Sequence, residues 1–416
     1  MRSFLPLIRS EWRLLLFGFA MTFGSSLGQT YFIALFSADI RTDLELGHGS
    51  FGAVYSAATL ASAVLLLWSG SLIDRMDLRR FSYLAIVGLV IGCWLLASAQ
   101  GVATLFIAIL ALRHLGQGLM SMAGTTTMVR YIDAHKGKAN ALSGIGYSVS
   151  EAVLPTLVIL LLAVLGWRQS WLLWGLIALL TLPLLVRWLL SGHGLRHQAY
   201  LHMVEAGNEQ MTPSQDIQRQ WTRQDMICDP VFYLCLPALL AMPLLFTGFM
   251  FHQVHLVEVK GWSLTSWGSL YVLYAVTTTV AKLCAGLLID RFSASRLLSL
   301  MALPLALGLL MLASSTHIAA AVGFMVLLGM AVGTYSTVAS PFYAERYGTL
   351  HLGSIKSVTT SLMVFASALS PVVMGWGIDA GITMDAMAIA SAIYIVVASV
   401  LAALGAARMR IESPAA

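Results

Sequence analysis

Charge is what this sequence has least of. Only 10% of its residues are Asp, Glu, Lys or Arg, where soluble domains carry roughly 25%. So few charges cannot cover the surface of a 416-residue fold in water. Cysteine is scarce too. Cys93, Cys228, Cys235 and Cys284 show neither a paired framework nor metal-ligand spacing, and they read as small buried hydrophobes in or beside apolar segments. No nucleotide-binding loop, no Ser/His/Asp arrangement and no metal cluster is visible. These absences argue against nucleotide-driven chemistry and against an enzyme, and they imply no cofactor. The net charge of +5 is modest and carries no sign of nucleic-acid binding.

What the chain has instead is apolar length. Hydrophobic residues make up 58%, in runs of about 20 residues, the length a helix needs to cross a bilayer. The runs fall at 14–38, 50–72, 81–99, 102–128, 140–163 and 168–190, then at 230–257, 264–288, 297–315, 317–342, 354–377 and 383–406. In lipid only helices satisfy the backbone of such runs. The expectation is an all-α membrane protein with twelve transmembrane helices in two six-helix, pseudo-symmetric bundles, 1–190 and 230–416. The hydrophilic stretch 191–229 reads as a cytoplasmic linker. The first run is too long for a signal-peptide core, so Met1 to Arg13 reads as a basic, interfacial lead-in to an uncleaved span.

Positive charge orients the chain. With the N-terminus in the cytoplasm, the cytoplasmic segments collect nearly every Lys and Arg, and the outer loops keep only Arg41, Arg168 and Lys260. The bias predicts a multi-pass protein of the inner cell membrane with both termini cytoplasmic.

The two halves repeat. Gly70-Ser-Leu-Ile-Asp74-Arg75 returns as Gly286-Leu-Leu-Ile-Asp290-Arg291, an offset of 216 residues. The same offset carries Arg80 onto Arg296, Arg130-Tyr131 onto Arg346-Tyr347, His135 onto His351, Gly137 onto Gly353 and Pro155 onto Pro371. Duplicated bundles with a site between them are a transporter plan. Pro155 and Pro371 are expected to bend spans five and eleven, and Gly24/Gly28, Gly88/Gly92 and Gly329/Gly333 have the spacing of close helix contacts.

The Gly-x-x-x-Asp-Arg loop between spans two and three, repeated between spans eight and nine, resembles the conserved loop of the major facilitator superfamily. The likeness covers essentially the whole chain. It implies gating roles for Gly70, Asp74, Arg75, Gly286, Asp290 and Arg291. The family usually has Gly at the place of Asp77 and Arg at that of Leu78. Span five, from Gly144-Ile-Gly146 to Pro155, looks like the corresponding stretch of monocarboxylate and oxalate-type porters, as do His255-Leu-Val and Ala281-Lys282-Leu-Cys-Ala-Gly286. In those porters a basic residue four positions before this Gly holds the substrate carboxylate. Lys282 stands there, a point charge rather than the usual arginine fork. Thr278 replaces the acidic residue often found one turn earlier, and the acidic signature of span one is missing around Gly24 to Gln29.

Well inside the spans, away from their ends, only Arg113, Glu151 and Lys282 are charged. Each costs several kcal/mol unless a cavity or partner receives it. Arg113, in Arg113-His-Leu-Gly-Gln117-Gly118, resembles a pattern tied to proton coupling in many facilitator transporters. Glu151 in span five is the candidate proton carrier, within geometric reach of Arg113. Lys282 is the candidate carboxylate ligand, with snorkelling as the bland alternative. Gln29, Tyr31, Tyr147, Tyr274 and His255, with Arg113, complete the candidate substrate set, although packing explains such residues as often.

The expected activity is secondary active transport of a small, monocarboxylate-like organic anion by alternating access, coupled to a proton, with the chain acting as a monomer. The alternative is a proton-driven efflux antiporter of drugs or other hydrophobic compounds. A non-transporting membrane receptor is the third possibility.

Overall fold

The computed structural model describes residues 5–70, 72–132, 136–194, 221–348 and 351–412. Most of the expected linker at 191–229, the repeat match at His135, and the side chains of Asp74, Arg75 and Asp290 lie outside the described residues. Among the described residues the chain is helical and contains no strand. Nine of these helices are long and apolar enough to cross a membrane, and shorter or broken helices complete the twelve spans.

The helices are α1 (Leu5–Gly24), α2 (Thr30–Ala34), α3 (Ser37–Asp43), α4 (His48–Ser69), α5 (Leu72–Arg75), α6 (Leu78–Ala97), α7 (Val102–Ala111), α8 (Ser121–Tyr131) and α9 (Lys136–Leu189). Then come α10 (Arg223–Cys228), α11 (Pro230–Phe251), α12 (Gln253–Val259), α13 (Leu264–Phe292), α14 (Ala294–Leu297), α15 (Leu303–Ser314), α16 (Ile318–Tyr347), α17 (Leu352–Asp379) and α18 (Met384–Glu412). They form two compact units, residues 1–45 with 57–215 and residues 46–56 with 216–416.

Where the spans depart from simple rods, the local residues explain it. The first span, expected as one run over 14–38, is four pieces: α1, a 3₁₀ turn at Ser25–Gly28, α2 and α3. Two serines and a glycine in a row offer side-chain oxygens and backbone freedom that compete with the helix ladder. Spans five and six share α9, which leaves helical dihedrals only at Gly166, with φ 72° and ψ 174°. That φ belongs to glycine. Pro155 and Pro371 both sit inside helices. The cysteines divide: Cys93 and Cys235 are buried, whereas Cys228 and Cys284 are exposed. Cys228, at the end of the short α10, and Cys284, whose turn of α13 faces outward beside Leu283 at 69% exposed, therefore correct the all-buried reading.

Exposed Leu67, Val164, Leu283 and Leu287 show the apolar exterior that a lipid solvent permits. Inside the second unit, α13 and α16 pack closely because glycines let the backbones meet. A Cβ on Gly329 would stand 2.8 Å from the Tyr274 carbonyl oxygen, and one on Gly333 would stand 2.5 Å from that of Thr278 and 3.0 Å from the Lys282 nitrogen. Such close approach by small residues is how membrane helices associate. Gly286, by contrast, has nothing within 4 Å of an added Cβ. Gly333→Val should therefore lower stability in detergent by about 1–3 kcal/mol, while Gly286→Ala should stay within about 0.5 kcal/mol. Thermal melts of the two variants check the contrast.

Candidate functional site

A broken helix in hydrocarbon leaves polar backbone groups that must find partners. The break in the first span finds them in the fourth. At Gln29 the chain is extended, with φ −80° and ψ 151°, so the Gly28 carbonyl leaves the helix ladder. Arg113 takes it: its Nη1 donates to Gly28 O at 3.1 Å and to Thr30 Oγ1 at 3.4 Å, and its Nε donates to Thr59 Oγ1 at 3.2 Å. The guanidinium is buried, with 4% of the residue exposed.

Arg113 lies in Leu112–Met120, which is wound as a π-helix. Such wide turns often mark functional sites. The two irregular segments touch through glycine: a Cβ on Gly116 would lie 3.1 Å from the Cα of Gly28, and one on Gly28 would lie 2.7 Å from the Gln117 nitrogen. Gly28 and Gly116 are thus sites of close backbone approach, and any side chain would push the break and the π segment apart.

A polar seam continues from the break along α9. Ser26 and Ser150 hydroxyls meet at 2.5 Å, and the Tyr31 hydroxyl donates to Ser150 Oγ at 3.4 Å. Thr22 donates to the Ser143 carbonyl at 2.7 Å. Tyr147 bonds Ser121 through their hydroxyls. Half-buried Glu151 lies within electrostatic reach of both Tyr31 and Tyr147. The first unit therefore gathers Arg113, Gln29, Tyr31, Tyr147 and Glu151 around one broken span. Thr59, Ser26, Ser121 and Ser150 belong to the same network and were not singled out from sequence. The signal that could have found them is the run Ser25-Ser26-Leu27-Gly28-Gln29 inside an otherwise apolar span.

In the second unit Lys282 is exposed on α13. Among the described residues it meets no counter-ion. It does not lie on the aliphatic stripe of Val272, Val276, Leu283 and Leu287, which is 50–69% exposed. By helical spacing it falls in the row Tyr271, Ala275, Thr278, Lys282 and Gly286. Thr278 in that row is buried and its hydroxyl lacks a partner among the described residues, and beside Gly286 the space is open. Tyr274 is buried against Phe246 and Tyr271, with ring centroids at 6.4 and 6.1 Å, so packing is its visible role.

His255 sits elsewhere. Lys282 is eighteen residues past Leu264, roughly 27 Å along α13, whereas His255 precedes that helix, in α12. Its ring lies 4.4 Å from that of His48, and His252 lies 5.8 Å from His48. The start of α4 belongs to this unit, and Asp379 caps it, accepting from His48 N at 3.0 Å and Gly49 N at 2.7 Å. Gln253 is fully buried, and its Oε1 accepts from Tyr271 OH at 2.6 Å and Trp267 Nε1 at 2.9 Å. The sequence signal for that network was a lone amide between two histidines.

The two repeated loops are built differently. Asp77, standing where the resemblance puts Gly, caps α6 by accepting from Arg79 N at 2.9 Å. Arg130 ties this loop to α8 through the Ile73 carbonyl at 2.8 Å. At the equivalent place Ser293 has φ 68°, and the cap comes from α16 instead: Glu345 accepts from Ala294 N at 2.8 Å and Ser295 N at 3.0 Å. Arg346, the counterpart of Arg130, pairs with buried Asp229 at 3.1 Å. Gly70 is crowded by Met122, Gly286 is not, and Arg291 is exposed.

The model of the Major Facilitator Superfamily matches residues 18–371 and, separately, 247–415. No curated protein matches the sequence. Among solved structures, a bacterial homolog of the human lysosomal transporter Spinster, inward-facing and unoccupied, has a TM-score of 0.67 at 12% identity, covering 97% of this chain and 98% of its own. Its occupied form gives 0.66 at 15%, covering 100% and 99%. The nucleoside transporter NupG gives 0.66 at 15%, covering 96% and 98%. At such identities the likeness is one of fold.

Because Arg113 serves three acceptors in different directions, an ammonium cannot replace it. Arg113→Lys should abolish transport and cost about 1–3 kcal/mol of stability through the orphaned Gly28 carbonyl. A detergent melt alongside a vesicle uptake assay checks both effects.

Proposed function

Because this chain belongs to the Major Facilitator Superfamily, and is therefore a multi-pass membrane transporter rather than an enzyme, we propose that its cargo is a small organic anion moved together with a proton. The observation that carries the reading is Lys282: a cation within a span, exposed, without a counter-ion among the described residues, beside open space at Gly286. A charge so placed in hydrocarbon is costly unless it meets water or an anion. It stands where the resemblance to monocarboxylate porters puts the carboxylate-binding cation. Thr278, one turn before it, offers a hydroxyl on the same face.

The proton falls to Glu151. Tyr31 and Tyr147, two neutral hydroxyls, lie within electrostatic reach of it. In this reading Arg113 pairs with the Glu151 carboxylate in one state of the cycle and not in the other. A shift of the Arg113 segment during the cycle would then load or release the proton. Residues 1–190 and 230–416 act in this reading as the two rocking bundles, joined by the cytoplasmic linker, with both chain termini in the cytoplasm of the inner membrane and the monomer as the working form. The loops at Gly70–Arg75 and Gly286–Arg291 gate them.

Lys282→Ala should abolish the thermal shift that small carboxylates give the purified protein, and Lys282→Arg should keep it. Equal shifts in wild type and Lys282→Ala would exclude an anion site there. Glu151→Gln in proteoliposomes should lose uphill, pH-driven uptake while sparing exchange. Uptake that still follows the pH gradient would remove Glu151 from the coupling step.

A further inference from the structure

Three cavities follow one another along α1, each sharing a residue or two with the next, and their chemistry changes once along the row. The first opens where α1 leaves helical dihedrals at Glu11, with φ −120° and ψ 19°. It holds about 220 Å³ and is lined by Ser10, Glu11, Trp12, Arg13, Ser191 and His193 among others. The second, about 310 Å³, shares Trp12 with the first and is otherwise apolar, with Ile8, Leu16, Phe19 and Leu142. The third, about 230 Å³, shares Leu16 and Phe19 with the second and continues past Phe23 to Leu27, walled by Leu154 and Leu182 of α9. Within α1 the wall of the second and third cavities follows residues 8, 12, 16, 19 and 23, the spacing of a single helical face, and Leu27 in the 3₁₀ turn closes its far end.

We propose that this row is the seat of one resident glycerophospholipid, with a zwitterionic headgroup at Arg13 and Glu11 and an acyl chain lying along α1 to Leu27. The polar cavity offers a cation and an anion two residues apart, matching a phosphate and an ammonium. Arg13 is already held in place: its Nη1 donates to Ser191 Oγ at 3.0 Å, and its guanidinium lies 5.4 Å from the Trp12 ring. Ser10, Ser191 and His193 supply further polar atoms around the phosphate.

Depth agrees with chemistry. Trp12 and Trp188 meet edge to face at 5.5 Å, and both are exposed, as aromatic residues are at the membrane–water boundary. From Arg13 to Leu27 the chain rises roughly 20 Å, slightly more than the ~15 Å of hydrocarbon in one leaflet. An acyl chain beginning at the tryptophan level therefore ends near the broken turn at Ser25–Gly28. A lipid seated there would pack against α1 and α9, the helices whose Thr22, Tyr147 and Ser150 form part of the polar seam.

The test is native mass spectrometry of the full chain purified in mild detergent. Wild type should retain one phospholipid. Ala20→Trp, which fills the third cavity, should lower that occupancy about tenfold without lowering the melting temperature. If Ala20→Trp destabilises the protein, Ile177→Trp fills the same cavity from α9. Arg13→Glu should weaken retention of phosphatidylethanolamine about tenfold through the lost phosphate contact. Added phosphatidylethanolamine should raise the melting temperature of delipidated wild type, and glycerophosphoethanolamine, which has the headgroup but no chains, should not. Undiminished lipid in the filled variants would overturn the proposal. So would an equal thermal shift from the headgroup alone, which would mark a soluble-phosphate pocket instead.

Discussion

The hydrogen bond from Arg113 to the Gly28 carbonyl joins two faults that neither helix could keep alone. A span interrupted at Ser25–Gln29 leaves backbone groups without partners, and an arginine in hydrocarbon is expensive without acceptors. Each is the remedy for the other. The π segment at Leu112–Met120 and the glycines at 28 and 116 exist in this arrangement because the contact needs backbone to approach backbone. Around it the serine and tyrosine hydroxyls of α8 and α9 complete a network, with Glu151 within electrostatic reach of Tyr31 and Tyr147. Irregular backbone beside paired charges is where membrane transporters commonly handle ions and protons.

The second unit solves its problems differently. Its repeat-equivalent loop is capped by Glu345 from α16 rather than by a residue of the loop, and its arginine counterpart binds Asp229 rather than the loop carbonyl. Duplication thus preserved the positions but not the partners. The inherited symmetry sets where the helices run, and the differences set which half holds a buried arginine and which an exposed lysine. Lys282 and Arg113 are both cations within spans. One is buried and bonded to protein acceptors, and the other is exposed and meets no counter-ion among the described residues.

Much of this was legible in the residues. The apolar runs located the spans because lipid leaves the chain no other way to satisfy its backbone. The 216-residue offset from Gly70 to Gly286 exposed the duplication. The rarity of charge made Arg113, Glu151 and Lys282 stand out. What the sequence hid is where helical order fails. Ser25 to Gln29 is a small, polar run in an apolar span, but only the neighbouring arginine shows where the carbonyl freed by the break finds its partner. Asp379 was invisible, and the partners of Gln253 with it, for a related reason: the bonded residues lie 331 and 18 positions away, a separation that periodicity does not report. Asp77 looked like a lapse from the family pattern until its carboxylate was seen capping α6.

The central claim is that an anion and a proton cross together. Proteoliposomes loaded with a pH-sensitive dye and given an inward gradient of a small monocarboxylate, at equal pH on both sides, test it directly with the wild-type protein. The account predicts acidification of the lumen that depends on the protein and saturates with the anion. Entry of labelled anion without any movement of protons, or no entry at all while hydrophobic cations are exchanged for protons, would contradict it.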